Sequence, residues 1–288
     1  MRLEDVHAPK DIKALSWGEM EDLAAQIRTE LVETVAKRGG HLASNLGVVE
    51  LTLALHRVFD MPEDKIIFDV GHQSYVHKLL TGRARMFSTL RSFGGISGFP
   101  KRKESPYDVF ETGHSSTAIS AALGMARARD MLGEKHHVVA VVGDGALTGG
   151  MCYEALNDAG SSETRLIVVL NDNEMSIAPN VGALSRHLTD LRISRGYTST
   201  KRLVRSRLKR VPLVGPVLYR GVHGLKSLLR SAFVHGDAFF SALGFQYVGP
   251  IDGHNIETMA HTLSLAKEYD GPVLVHVLTQ KGHGYDKA

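Results

Sequence analysis

VVGDGALTGGMCYEALNDAGSSETRLIVVLNDNEMSI, residues 141–177, holds two apolar segments that each end in short polar residues. The run 138–142 has the length and branched side chains of a buried strand, and it delivers Gly143-Asp144-Gly145. A helical stretch follows, then a second apolar run, 166–170, ends in Asn171-Asp172-Asn173. In a parallel sheet both strands finish at the same edge, so Asp144 and Asn173, 29 residues apart, converge on one site. Asp and Asn supply hard oxygen ligands suited to Mg²⁺, and the flanking glycines let backbone amides approach a phosphate. The stretch therefore predicts a metal-diphosphate cradle on an α/β sheet.

Outside this stretch the strand and helix patterns alternate. Ser16-x-x-Glu19 is a capping box for a helix running to about residue 37, where Gly39-Gly40 stops it. Residues 48–59 form a second apolar helix. Residues 66–70 read as a strand ending at Gly71-His72-Gln73, with a helix over 74–80. Residues 107–111 read as a strand ending at Gly113-His114-Ser115-Ser116, with an Ala-rich helix closed by Gly133. Strands over 245–248 and 273–278 enclose a helix over 256–269. The expected fold is α/β, a mostly parallel sheet with helices on both faces, in one domain over 1–288.

A basic insertion at about 185–235 interrupts this rhythm. Between residues 195 and 230 the chain has ten Lys or Arg and no Asp or Glu, so the net charge of +3 is local and the remainder is net negative. Gly and Pro breakers suggest a solvated loop. Tyr197 and Tyr219 flank the basic core and do not interleave with it as a stacking platform would, so no nucleic-acid partner is expected. No apolar run approaches the roughly 18 residues that span a bilayer, and no apolar signal core opens the chain, so a cytoplasmic protein with no membrane partner is expected. The single cysteine, Cys152, excludes an internal disulfide and reads as a packing residue.

Polar clusters fall at the expected carboxyl ends of strands, where open α/β sheets bind ligands. These are His72, the His114-Ser115 pair, Asp144, Asn173, and the group Lys281, His283 and Tyr285; His41 lies in a Gly-Gly-His loop between helices. Among 15 histidines, His56, His77, His136, His137, His187 and His261 have no such placement and are expected to be structural or solvated.

Seven blocks in order carry a family resemblance over residues 10–286. They are RGGHLASNLGVVELTLALHRVFD, DVGHQSYVHKLLTGR, FGGISGFPKR, ETGHSSTAISAALGMA, the block from GDG to NDNEMSI, LGFQYVGPIDGHN and TQKGHGY. Together they resemble the 1-deoxy-D-xylulose-5-phosphate synthases of the transketolase superfamily, and YVGPIDGHN separates that family from ordinary transketolases. Val76 stands where the family usually has Pro. The Gly-Asp-Gly and Asn pair is then the family's thiamin-diphosphate signature.

The resemblance implies that Asp144, Asn173 and the Met175 carbonyl ligate Mg²⁺. It also implies that His72, Gly113, His114, Ser115, Gly145, Ala146, Asn173, Lys281 and Tyr285 hold thiamin diphosphate. His41, His72 and His114 are the candidates for proton transfer, since a near-neutral pKa suits both directions. The implied substrates are pyruvate and glyceraldehyde 3-phosphate, condensed with loss of carbon dioxide. Family chains continue for about as long again, through a pyrimidine-binding domain carrying the catalytic glutamate and a C-terminal domain. A separate pyrimidine-domain chain, a homodimer, or both are expected partners. A split transketolase-like subunit and a non-catalytic cofactor-binding remnant stand as alternatives.

Overall fold

A computed structural model of the chain describes residues 1–175, 183–184, 187–189 and 238–287. Five strands, β1 (Lys65–Phe68), β2 (Val138–Gly143), β3 (Leu166–Asp172), β4 (Gln246–Asp252) and β5 (Pro272–Leu278), form one parallel sheet in the order β1-β2-β3-β5-β4. The chain steps outward from β1 to β3, then passes to the far edge at β4 and returns to lay β5 beside β3. Both faces are covered, which is why the strands read as continuous apolar runs. Ile66, Phe68, Val139, Val141, Ile167, Val169, Val273 and Val275 pack on one face under helices α1 (Trp17–Arg38), α3 (Val49–Val58) and α9 (Ile256–Ala266). The alternating set Ile67, Val138, Ala140, Val142, Leu166, Val168, Leu170 and Leu274 packs on the other, under α5 (Ala118–Met131), α7 (Gly150–Gly160) and α8 (Ala238–Ala242). Burying each Val, Ile or Leu of these layers contributes about 1.5–3 kcal/mol, so the sheet is fixed from both sides.

The helix signals act as expected. Ser16 and Glu19 cap α1 reciprocally, Glu19 Oε2 accepting from the Ser16 amide at 2.8 Å, and Gly39 ends the helix at a φ of 73°. Two short helices, α2 (Leu42–Leu46) and α4 (Tyr75–Lys78), carry the loops that follow the Gly39-Gly40 pair and β1. Cys152 is fully buried on α7, and burial pushes its thiol up to about 12, so it packs as a small apolar group.

Two expectations are corrected. Residues 107–111 form no strand, because Asp108 turns inward to a buried ion cluster while Tyr107 packs on one core and Val109 and Phe110 on the other. The helix after Gly-Asp-Gly is not continuous: one turn, α6 (Asp144–Leu147), is separated from α7 by Thr148 and Gly149. The expected basic insertion at about 185–235 lies outside the described residues except for 187–189. Among the described residues no helix is long and apolar enough to cross a membrane.

Candidate functional site

Asp144 follows β2 and Asp172 ends β3, one step beyond the paired residues Gly143 and Asn171, so their carboxylates are neighbours at the carboxyl edge of the sheet. Both are buried, with 3% and 1% exposure. Asp172 is partnered: its Oδ2 accepts from His276 Nε2 at 2.9 Å, and His276 Nδ1 faces the Tyr247 hydroxyl at 2.7 Å. Asp144 Oδ1 accepts from the Gly145 amide at 2.9 Å, while its Oδ2 is buried and makes no hydrogen bond, although the Glu174 amide lies near enough to lower the carboxyl's pKa a little. Burial, and next the Asp172 charge, push the Asp144 carboxyl up to about 7. The two side chains share a hydrogen bond only if one holds a proton; a cation removes that conflict.

Asn173, after β3, accepts from the Met175 amide at 3.1 Å through Oδ1, which leaves that oxygen a second lone pair. The buried Asp144 carboxylate beside Asp172, with the Asn173 side-chain oxygen following β3 at the same edge, has the oxygen chemistry that fits a hard divalent ion.

Asn45, fully buried on α2, joins the two histidine loops. Its Nδ2 donates to the carbonyls of His41 at 2.7 Å and His72 at 2.8 Å, and its Oδ1 accepts from the Tyr75 amide at 2.9 Å. The rings of His41 and His72 meet edge to face with centroids 5.4 Å apart, and Phe99 lies 6.0 Å from His41. Gly40 makes the approach possible: its φ is 139°, and a Cβ there would stand 2.7 Å from the Tyr75 hydroxyl. Burial pulls His72 down to about 4, helped by His41 and Lys281. His41 is also lowered, by burial and then by the Arg91 and Lys281 charges. Both rings carry a buried Nδ1 with no partner. They are neutral near pH 7, so each ring can donate at one nitrogen and accept at the other.

The loop after residue 112 is pinned by Asp69, whose two oxygens accept from the amides of Ser116 at 2.8 Å and Ala118 at 2.9 Å. Ser116 Oγ then donates to the Ala146 carbonyl at 2.8 Å, tying this loop to the Gly-Asp-Gly turn. Gly113, His114 and Ser115 are exposed on it, and among the described residues no ring contact joins His114 to His41 or His72. Lys281 and Tyr285 are partly buried on the segment after β5, where the Gly282 amide donates to the Ala43 carbonyl at 2.8 Å. The sheet edge thus gathers Asp144, Asn173, His72, the 113–115 loop, Gly145, Ala146 and Lys281, with His41 carried in by α2.

Sequence reasoning missed Asn45, Asp69, Asp172 and His276. Asp69 and Asp172 directly follow or end apolar strands, a placement visible in the sequence; Asn45 and His276 carry no local signal.

The family model described as 1-deoxy-D-xylulose-5-phosphate synthase matches residues 3–279. The chain is 57% identical to the 1-deoxy-D-xylulose-5-phosphate synthase of Clostridium kluyveri over 99% of its own length and 46% of that protein's. It is 58% identical to that of Syntrophomonas wolfei over 99% and 45% of the two lengths. It spans just under half the length of these relatives, which carry the remainder on the same polypeptide; the expectation of a separately encoded second half has no support in them. Transketolases share the fold: the structure from Leishmania mexicana aligns over 95% of this chain and 38% of its own with a TM-score of 0.66 at 20% identity. That from Campylobacter jejuni aligns over 94% and 39% with a TM-score of 0.64 at 21% identity. The chain belongs to the 1-deoxy-D-xylulose-5-phosphate synthase family.

Proposed function

We propose that this chain is the diphosphate-binding part of a 1-deoxy-D-xylulose-5-phosphate synthase, a transketolase-class transferase that condenses pyruvate with glyceraldehyde 3-phosphate and releases carbon dioxide. The observation that carries it is the buried Oδ2 of Asp144, which makes no hydrogen bond beside Asp172, within a chain of this family. Asp144, Asn173 and the Met175 carbonyl would hold Mg²⁺. Gly113, Ser115, Gly145 and Ala146 would meet the diphosphate and the rest of the cofactor, with Lys281 and Tyr285 closing that end. Thiamin diphosphate, when bound, supplies the carbanion chemistry that cleaves and forms carbon–carbon bonds.

The protein's part is binding and orientation. The Lys281 charge offsets part of the negative charge of an anion at the sheet edge, while burial, with a smaller contribution from that charge, keeps His41 and His72 neutral. A neutral imidazole both donates and accepts, so His41 and His72 present one face to a substrate oxygen without adding a cation. His114, on its exposed loop, is the third candidate to contact substrate. Phe99 packs against the His41 ring, and Asn45 fixes the backbone of both histidine loops. The remainder of a chain of the relatives' length, in the same molecule or a second copy, would supply the other wall of the site.

The test is an assay of pyruvate and glyceraldehyde 3-phosphate with Mg²⁺ and thiamin diphosphate, using this chain alone and joined to the remaining half of a relative. Deoxyxylulose phosphate from the joined chain, abolished by Asp144→Ala, is the expected outcome. A joined chain that binds cofactor with Mg²⁺ yet forms no product overturns the assignment.

A further inference from the structure

The motif that separates this family by sequence, YVGPIDGHN, carries just before its end a histidine, His254, for which the proposed chemistry has no task. His254 lies after β4, and its Nδ1 is 3.1 Å from Glu50 Oε2 while its Nε2 is 2.8 Å from the backbone nitrogen of Gln280. A backbone N–H only donates, so Nε2 is the acceptor and the ring proton sits on Nδ1, donated to Glu50. Glu50 is a buried residue of α3, and its other oxygen pairs with the Arg28 guanidinium from α1. Burial pushes the Glu50 carboxyl up, but His254 and Arg28 outweigh it and hold it ionised, below the usual range. Arg28 Nε also donates to the His283 carbonyl at 3.2 Å, and the His283 ring stacks on His254 with centroids 3.6 Å apart and planes 16° from parallel.

The Gln280 and His283 contacts fall on one segment, residues 279–285. The Thr279 amide donates to the Asp172 carbonyl at 2.9 Å, and its hydroxyl to Asn171 Oδ1 at 2.5 Å. On the opposite side a Cβ at Gly47 would stand 2.9 Å from the Gln280 carbonyl oxygen, so the segment is wedged against the end of α2. Lys281 sits at its centre, and its charge reaches both His41 and His72.

We infer that Glu50 and His254 form a positioning pair for this segment: ionised Glu50 fixes the His254 tautomer, His254 Nε2 anchors the Gln280 amide, and the anchored backbone aims Lys281 at the anion-binding end of the site. The role of Lys281 rests on the proposed function; the anchoring does not. Glu50, His254 and His283 also offer donor atoms within 4.8 Å of one another, as a metal would need. Arg28 on Glu50 and the Gln280 amide on His254 already use those atoms, and stacked rings do not aim two lone pairs at one ion, so Glu50 and His254 form a hydrogen-bonded pair against which the His283 ring stacks.

Three measurements test the pair. The ¹⁵N spectrum of the imidazoles in the unmutated chain should show His254 protonated at Nδ1 and not at Nε2 near pH 7; the reverse overturns the inference without any variant. Amide exchange at Gln280 should rise at least tenfold in His254→Ala, and also in Glu50→Gln, whose amide has one oxygen for two donors. Binding of thiamin diphosphate with Mg²⁺ should weaken about tenfold in His254→Ala, and the double variant with Lys281→Ala should be no weaker than Lys281→Ala alone. Unchanged Gln280 exchange, or additive losses of affinity, overturns it. If the chain joined to the remaining half of a relative binds no thiamin diphosphate with Mg²⁺, the functional assignment fails, while the tautomer and exchange results still decide the anchoring.

Discussion

Asp144 Oδ2 stands buried beside the Asp172 carboxylate, and of the two only Asp172 has a histidine, His276 at 2.9 Å, to balance it. A cation site carries such a penalty when empty and loses it when filled. Asp144→Asn removes one charge at constant shape, so the metal-free protein should gain on the order of 1–2 kcal/mol of stability, the upper range for a removed carboxylate conflict discounted for solvent relaxation. The same variant should lose the rise in melting temperature that Mg²⁺ gives the unmutated chain. Thermal melts with and without Mg²⁺ read both effects, and a less stable metal-free Asn variant would count against the cation site.

Asn45 satisfies two carbonyls and one amide across the two histidine loops. Asn45→Ala leaves the His72 carbonyl and the Tyr75 amide without this partner, while the His41 carbonyl keeps the backbone amide of residue 45 at 3.3 Å, which should cost about 2–4 kcal/mol at one to three kcal/mol for each unmet group, partly relieved by water. Urea denaturation at constant slope measures it. A loss below half a kilocalorie would mean that the histidine loops hold themselves.

The sheet was legible because its strands alternate between two apolar faces, a pattern written entirely in local sequence: β2 reads apolar throughout since Val139 and Val141 face one core and Val138, Ala140 and Val142 the other. The placement of Asp144 and Asn173 followed from parallel strands alone. Residues 107–111 show the limit. Their composition suits a strand, yet Asp108 accepts from Arg83, His77 and the Lys101 amide, partners 7 to 31 residues away in sequence that no local pattern reveals. Asn45 and His276 were missed for the same reason, because a buried polar side chain takes its meaning from partners brought by the fold.

His56 and His77 give the chain a predictable response to pH. His56 Nε2 lies 3.1 Å from His77 Nδ1, and both rings are buried; burial lowers both, His56 well below the usual value, while Asp108 pulls His77 partly back. With folded pKa values depressed, the unfolded chain takes up protons first as pH falls below about 6.5. Their stabilising contribution is therefore complete above that pH and declines below it, by up to about 1.4 kcal/mol per pH unit for each ring. Denaturation at pH 7.5 and 5.5 should show the loss, and His56→Asn should shrink it. An equal loss in the variant would assign the effect to other histidines.

Asp108 holds the segment that brings Phe99 against His41. It accepts from Arg83 Nη1 at 2.6 Å and Nη2 at 2.8 Å, from His77 Nε2 at 3.0 Å and from the Lys101 amide at 2.7 Å, with Lys78 Nζ 3.9 Å away. Arg83 and Lys78 are themselves buried and keep only Glu104 as a charged partner if Asp108 is neutralised. Breaking one member of a buried ion cluster costs about 3–5 kcal/mol, because the opposite charges stay buried. Asp108→Asn should therefore lower stability by that amount and release the Lys101 amide, so trypsin should cut after Lys101, Arg102 and Lys103 faster than in the unmutated chain under native conditions. Lys103→Ala, an exposed change in the same segment, should stay within about half a kcal/mol of the original. Equal stability of the two variants would show that the cluster is held by Glu104 and the packing around it.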